Sequence, residues 1–209
     1  MSSNMKLIIG LGNPGDRYMN NRCNIGFKIV DVLANNTNIQ IKTKKKKSLL
    51  GTGEFENHEI VLLKPQTFMD LSGEAVLYIA SFLRIPIQNI IVIHDDYSLA
   101  YGEVQVARGP RLIHHIGVES ITTGLKSEKF IRIRIGIAPA NAEPFDLETT
   151  TKEQITGYLE QDFTLDENMK IIEVINDAEA ALRSILTQDI EDVLSRYKLG
   201  SAAKSNSPK

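Results

Sequence analysis

The chain has 209 residues, 42% hydrophobic and 24% charged, with a formal net charge of −2. That length holds one well-buried core and falls short of two comfortable domains, and the composition excludes disordered and collagen-like classes. No apolar run reaches membrane-spanning length, the single cysteine excludes an internal disulfide framework, and the slightly acidic balance is not that of a protein whose whole surface grips nucleic acid.

The segment Met1–Gly10 runs into a strand within a few residues and has no signal-peptide cleavage pattern, so a cytoplasmic location and no membrane partner are expected. The strand Leu7–Leu11 meets a tight turn, Gly10-Leu-Gly-Asn-Pro-Gly15. That turn leaves Asn13 at the carboxyl end of a strand, where open α/β sheets place their ligands. An amphipathic helix follows over Ile25–Asn35, with Ile25, Phe27, Ile29, Val30 and Leu33 apolar. The run Lys44–Lys47 reads as a solvated loop. Ile60–Leu63 and Ile90–His94 are short, continuous and rich in Ile and Val, the pattern of strands buried on both faces. A helix is predicted between them, over Phe68–Leu83. Val104–Ala107 alternates and is placed at a sheet edge. Ile131–Ile137 alternates Ile with Arg132 and Arg134, one face apolar and the other cationic. Helices are predicted over Ile116–Leu125, Leu165–Leu186 and Ile190–Tyr197. In the longest of these, Met169, Ile172, Val174, Ile175, Ala178 and Leu182 form a stripe expected to face the core. Strands interleaved with helices predict an α/β fold: a three-layer domain, a mixed β-sheet flanked by helices, over residues 1–198. A small polar tail, 199–209, is expected to be disordered.

Several motifs carry a resemblance. Gly10–Gly15, Tyr18, Arg22 and Asn24 resemble the bacterial-type peptidyl-tRNA hydrolases, which pair G-L-G-N-P-G with R-H-N at the entry to the first helix. Lys64–Gly73 is similar to the family's K-P-x-T-F-M-N-L-S-G, and His94-Asp95-Asp96 with Gly102 to its H-D-D/E…G. His115, Gly117, Ser120 and Ile121 match part of G-G-H-N-G-L-x-S-I, and Arg132–Ile137 matches R-L-R-I-G-I. The likeness spans about residues 5 to 198 in one order, and several motifs in register carry more than any one alone. The resemblance implies a monomeric enzyme of translation that hydrolyses the ester between a peptide and the 3′ end of tRNA, with peptidyl-tRNA as partner and no metal or cofactor. It also implies site roles: Asn13 to hydrogen-bond substrate, Asp95 to orient the catalytic base, and Tyr18, Phe68, Asp70, His115 and Ile116 around the substrate. Arg108, Arg111 and Arg134 lie near the family's tRNA-phosphate site, whose own basic positions fall near Gln105 and Ala107 here.

The sequence departs from the pattern at the site itself. Cys23 stands where the family has its catalytic His, Asp70 and Ile116 replace two amides, and Ile113 and His114 replace two glycines. A carboxylate beside imidazole raises its basicity, but beside a thiol it disfavours the thiolate. A neutral thiol is a poor base and a weak nucleophile. His114 could serve as a substitute base. Cys23, Asp70, Asp95 and His115 are zinc-ligand types, but they come from four segments without short ligand spacing. Two functions stay open: the hydrolase with a rebuilt site, and a catalytically impaired homologue that binds RNA, protein or a small ligand through the same cleft.

Overall fold

A computed structural model describes residues 4–109, 115–140, 144–146 and 149–198. Seven strands form one mixed sheet: β1 (Lys6–Gly10), β2 (Thr43–Lys44), β3 (Ser48–Phe55), β4 (His58–Pro65), β5 (Ile90–Asp96), β6 (Val104–Arg108) and β7 (Ile131–Gly136), in the order β2-β3-β4-β1-β5-β7-β6. The expected buried strands occupy its centre, where β4, β1, β5 and β7 run parallel; β2, β3 and β6 pair antiparallel at the sides. β6 is an edge strand, as its alternation predicts.

Alternation along β1 builds two cores. Leu7 and Ile9 face one way and meet α2 (Ser72–Phe82) and α3 (Ile116–Leu125) through Val76, Ile79, Val118 and Ile121. Ile8 faces the other way and meets α1 (Ile25–Asn36), α5 (Leu165–Thr187) and α6 (Ile190–Tyr197) through Ile29, Leu33, Ala178, Leu182 and Val193. Helix α1 lies close on β1: a Cβ on Gly26 would stand 2.5 Å from the Ile93 carbonyl oxygen, and one on Gly10 would stand 2.3 Å from the Gly26 carbonyl oxygen. Those two glycines bring the start of α1 down onto the strand ends.

The C-terminal segment is tied to the start of α1 by a buried ion pair. Arg22 Nη2 lies 2.8 Å from Glu167 Oε2, with both side chains 3% exposed. The guanidinium also donates to the Tyr158 carbonyl at 3.3 Å and stacks 4.2 Å from the Tyr158 ring centroid. Glu167 in turn accepts from Thr164 N at 2.8 Å, closing the capping box that starts α5. Backbone bonds from Arg22 N to Gln161 O and from Phe163 N to Asn20 O lace the same two segments together.

Three expectations need correction. Met169 and Ile172 are 79% and 67% exposed; the rest of the expected stripe of α5, Val174, Ile175, Ala178 and Leu182, is buried and is joined by Ala181 and Ile185. In the first turns of α5 it is Glu167, paired with Arg22, that turns inward, while Leu165, Met169 and Ile172 face outward. The helix expected from Phe68 begins as a 3-10 turn, Met69–Leu71, before α2. The lysine run is only partly loop, because Lys44 pairs with Leu49 in the β2–β3 ladder. Neither β3 nor α4 (Lys152–Leu159) is foreseen. The tail 199–209 lies outside the described residues.

Removing one partner of a buried pair strands the other charge. Glu167→Ala is expected to lower stability by about 3–5 kcal/mol, read from the urea midpoint. The double variant Arg22→Met/Glu167→Leu is expected to lose less than that single variant.

Candidate active site

The site forms where β1, β4 and β5 end, at the carboxyl edge of the parallel sheet. Asn24 holds the turn after β1 with both ends of its amide: its Oδ1 accepts from Asn13 N at 2.7 Å and its Nδ2 donates to Asn13 O at 2.9 Å. The Asn13 side chain is oriented next. Its Oδ1 accepts from Met69 N at 2.9 Å, which turns Nδ2 toward Cys23 Sγ, 4.0 Å away. Asn13 thus presents a fixed amide donor to the space above Cys23.

Cys23 sits in a short 3-10 turn, Arg22–Asn24, that leads into α1. It is buried, with Sγ 3.6 Å from Asn24 Oδ1. Burial, with the negative charges of Asp95 and Glu160 adding to it, pushes its pKa up to about 12. At neutral pH this group is a thiol.

Asp95, at the end of β5, is 1% exposed, and its Oδ1 accepts from His115 Nε2 at 3.1 Å. His115 caps α3: its Nδ1 accepts from Gly117 N at 3.1 Å and Val118 N at 3.3 Å. The ring proton therefore rests on Nε2 and points at Asp95, leaving His115 no free lone pair for the cleft. His94 stacks edge-on against His115, centroids 4.7 Å apart, and bonds the Asp95 carbonyl through Nδ1 at 2.7 Å. Burial, and then the neighbouring His115, hold its pKa well below the ordinary histidine value. It is a structural ring, as its place at a strand end suggests.

Asn13, Cys23, Asp95 and His115 line one cleft of about 330 Å³. Met69, Tyr97 and Ile116 supply apolar surface on one side; Ile155 and Leu159 of α4, with Glu160, form the other wall. The expected residues thus divide. Asn13, Cys23, Asp95, His115 and Ile116 come together. Tyr18 and Phe68 stand beside the cleft as an edge-on pair, centroids 6.5 Å apart, and Asp70 is exposed; none of the three lines it. Of the four zinc-ligand types Asp70 stands outside the cleft that Cys23, Asp95 and His115 line, and among the described residues no group of three His, Cys, Asp or Glu is arranged for a metal ion.

The phosphate-binding expectations fare differently. Arg134 is 3% exposed, bonded to Asp96 Oδ2 at 2.7 Å and to Gln105 Oε1 at 2.7 Å, so its guanidinium is spent inside the sheet. The face of β7 that carries Arg132 and Arg134 is buried, not an open cationic surface. Arg108 pairs with Glu191 at the surface. Arg111, Ile113 and His114 lie outside the described residues. The α4 wall is what sequence reading missed, although Thr151 and Gln154 form a capping box, a visible helix start.

The family description "Peptidyl-tRNA hydrolase" matches residues 7–207. A peptidyl-tRNA hydrolase of Caldanaerobacter subterraneus subsp. tengcongensis is 39% identical over 194 residues, 92% of this chain and 99% of the relative. One of Clostridium botulinum (strain Alaska E43 / Type E3) is 36% identical over 201 residues, 96% and 100% of the two chains. Among solved structures, peptidyl-tRNA hydrolase from Acinetobacter baumannii superposes with a TM-score of 0.82 at 28% identity, covering 94% of this chain and 96% of that one. With the shared fold and the strand-end site now placed, the chain belongs to the peptidyl-tRNA hydrolase family.

Proposed function

We propose that this protein hydrolyses the ester between a peptide and the 3′ end of tRNA, with Asp95 rather than Cys23 taking the proton of the attacking water. One observation carries the reading. The residue in the place of the base is a neutral, buried thiol, while the Asp95 carboxylate lines the same cleft beside the Asn13 amide. His115 donates to one oxygen of that carboxylate and fixes its plane. A carboxylate so held can accept a proton from water, although more weakly than an imidazole raised by a neighbouring acid.

The steps balance without a cofactor. Water adds to the ester carbonyl as Asp95 takes its proton, and the developing oxyanion accepts a hydrogen bond from Asn13 Nδ2. The tetrahedral intermediate collapses, the bond to the ribose 3′ oxygen breaks, and Asp95 returns the proton to that oxygen. Cys23 occupies space and supplies no charge. Ile116, 58% exposed at the mouth, gives the acyl chain apolar contact and no hydrogen bond.

Single-turnover cleavage of N-acetyl-phenylalanyl-tRNA tests the assignment. Asp95→Asn is expected to slow cleavage by about 10²-fold or more and Asn13→Ala by about 10²–10³-fold, while Cys23→Ala stays within about threefold of the parent because no proton passes through the thiol. Loss of cleavage in Cys23→Ala, or in Glu160→Gln with Asp95→Asn unaffected, overturns it.

The thiol's state has its own readout. At pH 8, alkylation of Cys23 by iodoacetamide in the folded protein is expected to run about a hundredfold slower than in the urea-unfolded chain, whose thiol has a pKa of about 8.5. Equal rates would mean that burial and the nearby carboxylates do not suppress the thiolate.

A further inference from the structure

Two arginines expected on tRNA phosphate are engaged within the protein: Arg134 holds Asp96 and Gln105, and Arg108 pairs with Glu191. Positive charge gathers instead at the opposite edge of the sheet, where β2 is the outermost strand. Lys42, Lys44, Lys45, Lys46 and Lys47 fall within six residues. Among the described residues they make one ion pair, Lys47 with Glu74 at 3.5 Å, both side chains largely exposed.

The backbone and the rings of α2 fix where those charges sit. Lys46 and Lys47 are the two-residue loop of the β2–β3 hairpin, closed by Lys45 N donating to Ser48 O at 3.0 Å. Both adopt the left-handed backbone, with φ of 43° and 54°. Loops of this kind favour Asn and Gly, so two lysines there run against local preference. Tyr78 and Phe82, one turn apart on α2, stack with centroids 6.1 Å apart and planes 9° apart. Lys45 Nζ lies 3.2 Å from the Phe82 centroid and Lys46 Nζ 5.3 Å from the Tyr78 centroid. A ring face attracts an ammonium without neutralising it, whereas a carboxylate would cancel the charge. Two full charges are thus held over neighbouring rings, at a spacing close to the step between successive phosphates of an RNA strand. Like charges so placed repel until an anion joins them.

The hairpin tip shares the carboxyl edge of the sheet with the cleft, since Ser48 pairs with Pro65 at the end of β4. Gln66 N donates to the Lys47 carbonyl at 2.6 Å, and Met69 N donates to Asn13 Oδ1 at 2.9 Å. Those two donors are separated by at most about 11 Å of extended chain. We propose that the Lys44–Lys47 hairpin, with Tyr78 and Phe82 beneath it, binds the phosphate backbone of the acceptor arm of a tRNA whose 3′ ester lies at Asn13. The inference rests on the reading of the site as a peptidyl-tRNA ester hydrolase. Lysines lie over both rings, which leaves less apolar face for insertion among lipids and favours an RNA backbone over a membrane surface.

The probe is a full-length tRNA carrying N-acetyl-phenylalanine through an uncleavable 3′-amide, compared with its terminal fragment, 3′-(N-acetyl-phenylalanylamido)-3′-deoxyadenosine. Binding is read by calorimetry across a salt series. The triple variant Lys45→Ala/Lys46→Ala/Lys47→Ala is expected to bind the tRNA about tenfold or more weakly and to lose about 2–3 from the slope of log affinity against log salt. Its affinity for the fragment stays that of the parent. Arginine at the same three positions keeps both affinity and slope. Phe82→Leu, which leaves every charge in place, weakens the tRNA severalfold at an unchanged slope; parental affinity in that variant overturns the part given to the rings. The proposal is overturned if the triple variant keeps the parent's tRNA affinity and slope, or if it loses the fragment equally. Lysine-dependent binding to phosphatidylserine vesicles, with lysine-independent tRNA binding, overturns it in favour of a membrane surface. Because the amide is not cleaved, the two readings fail separately. Lysine-dependent tRNA binding in a protein without turnover overturns only the hydrolytic reading; turnover with lysine-independent tRNA binding overturns only the hairpin's role.

Discussion

The buried Arg22–Glu167 pair is the constraint on which the site depends. Arg22 precedes Cys23 and Glu167 opens α5, so one ion pair at 2.8 Å fixes the turn that carries the site to the helices that wall it. The Arg22 bond to the Tyr158 carbonyl extends that hold to the end of α4. The pair works beside the backbone bonds from Arg22 N to Gln161 O and from Phe163 N to Asn20 O, which tie the same two segments. Burying two charges is costly unless every remaining group is satisfied, and here the capping box at Thr164 and the Tyr158 ring complete the set.

Above that frame, the site turns on what Asp95 does with its two oxygens. One accepts from His115, whose other nitrogen is held by the start of α3. The chain of contacts from β5 to the first turn of α3 therefore aims the carboxylate without any help from residue 23. An imidazole at that position would draw on Asp95 for its own charge; the carboxylate instead disfavours the thiolate of Cys23, which stays neutral. Burial, with the Asp95 charge adding to it, keeps Cys23 a thiol; on the proposed mechanism that same carboxylate activates water.

Legibility in the sequence followed physical cause. β1, β4 and β5 were readable because both faces are buried and the residues are uniformly apolar; β3 was not, because Gly51, Thr52 and Gly53 interrupt its apolar pattern where the strand packs under Ile39 and Gln40. Periodicity located α5 and its covered face at Val174, Ile175, Ala178 and Leu182, but ran that face two residues too far toward the N-terminus, to Ile172 and Met169. At the site, motif order placed Asn13, Cys23, Asp95 and His115 together correctly. The fate of Arg134 was hidden because it depends on Asp96 and Gln105, side chains brought to it by strand pairing. Asp70 is exposed and does not line the cleft; it is the backbone of the neighbouring Met69 that meets Asn13.

On the proposed mechanism water, and not Cys23, attacks the ester. Intact-mass measurement of the protein, quenched in acid at successive times during single-turnover cleavage of N-acetyl-phenylalanyl-tRNA, tests this directly. The protein is expected to keep its unmodified mass throughout, while free N-acetyl-phenylalanine accumulates. An adduct of one acyl group on Cys23 that rises and decays at the rate of product release would contradict it.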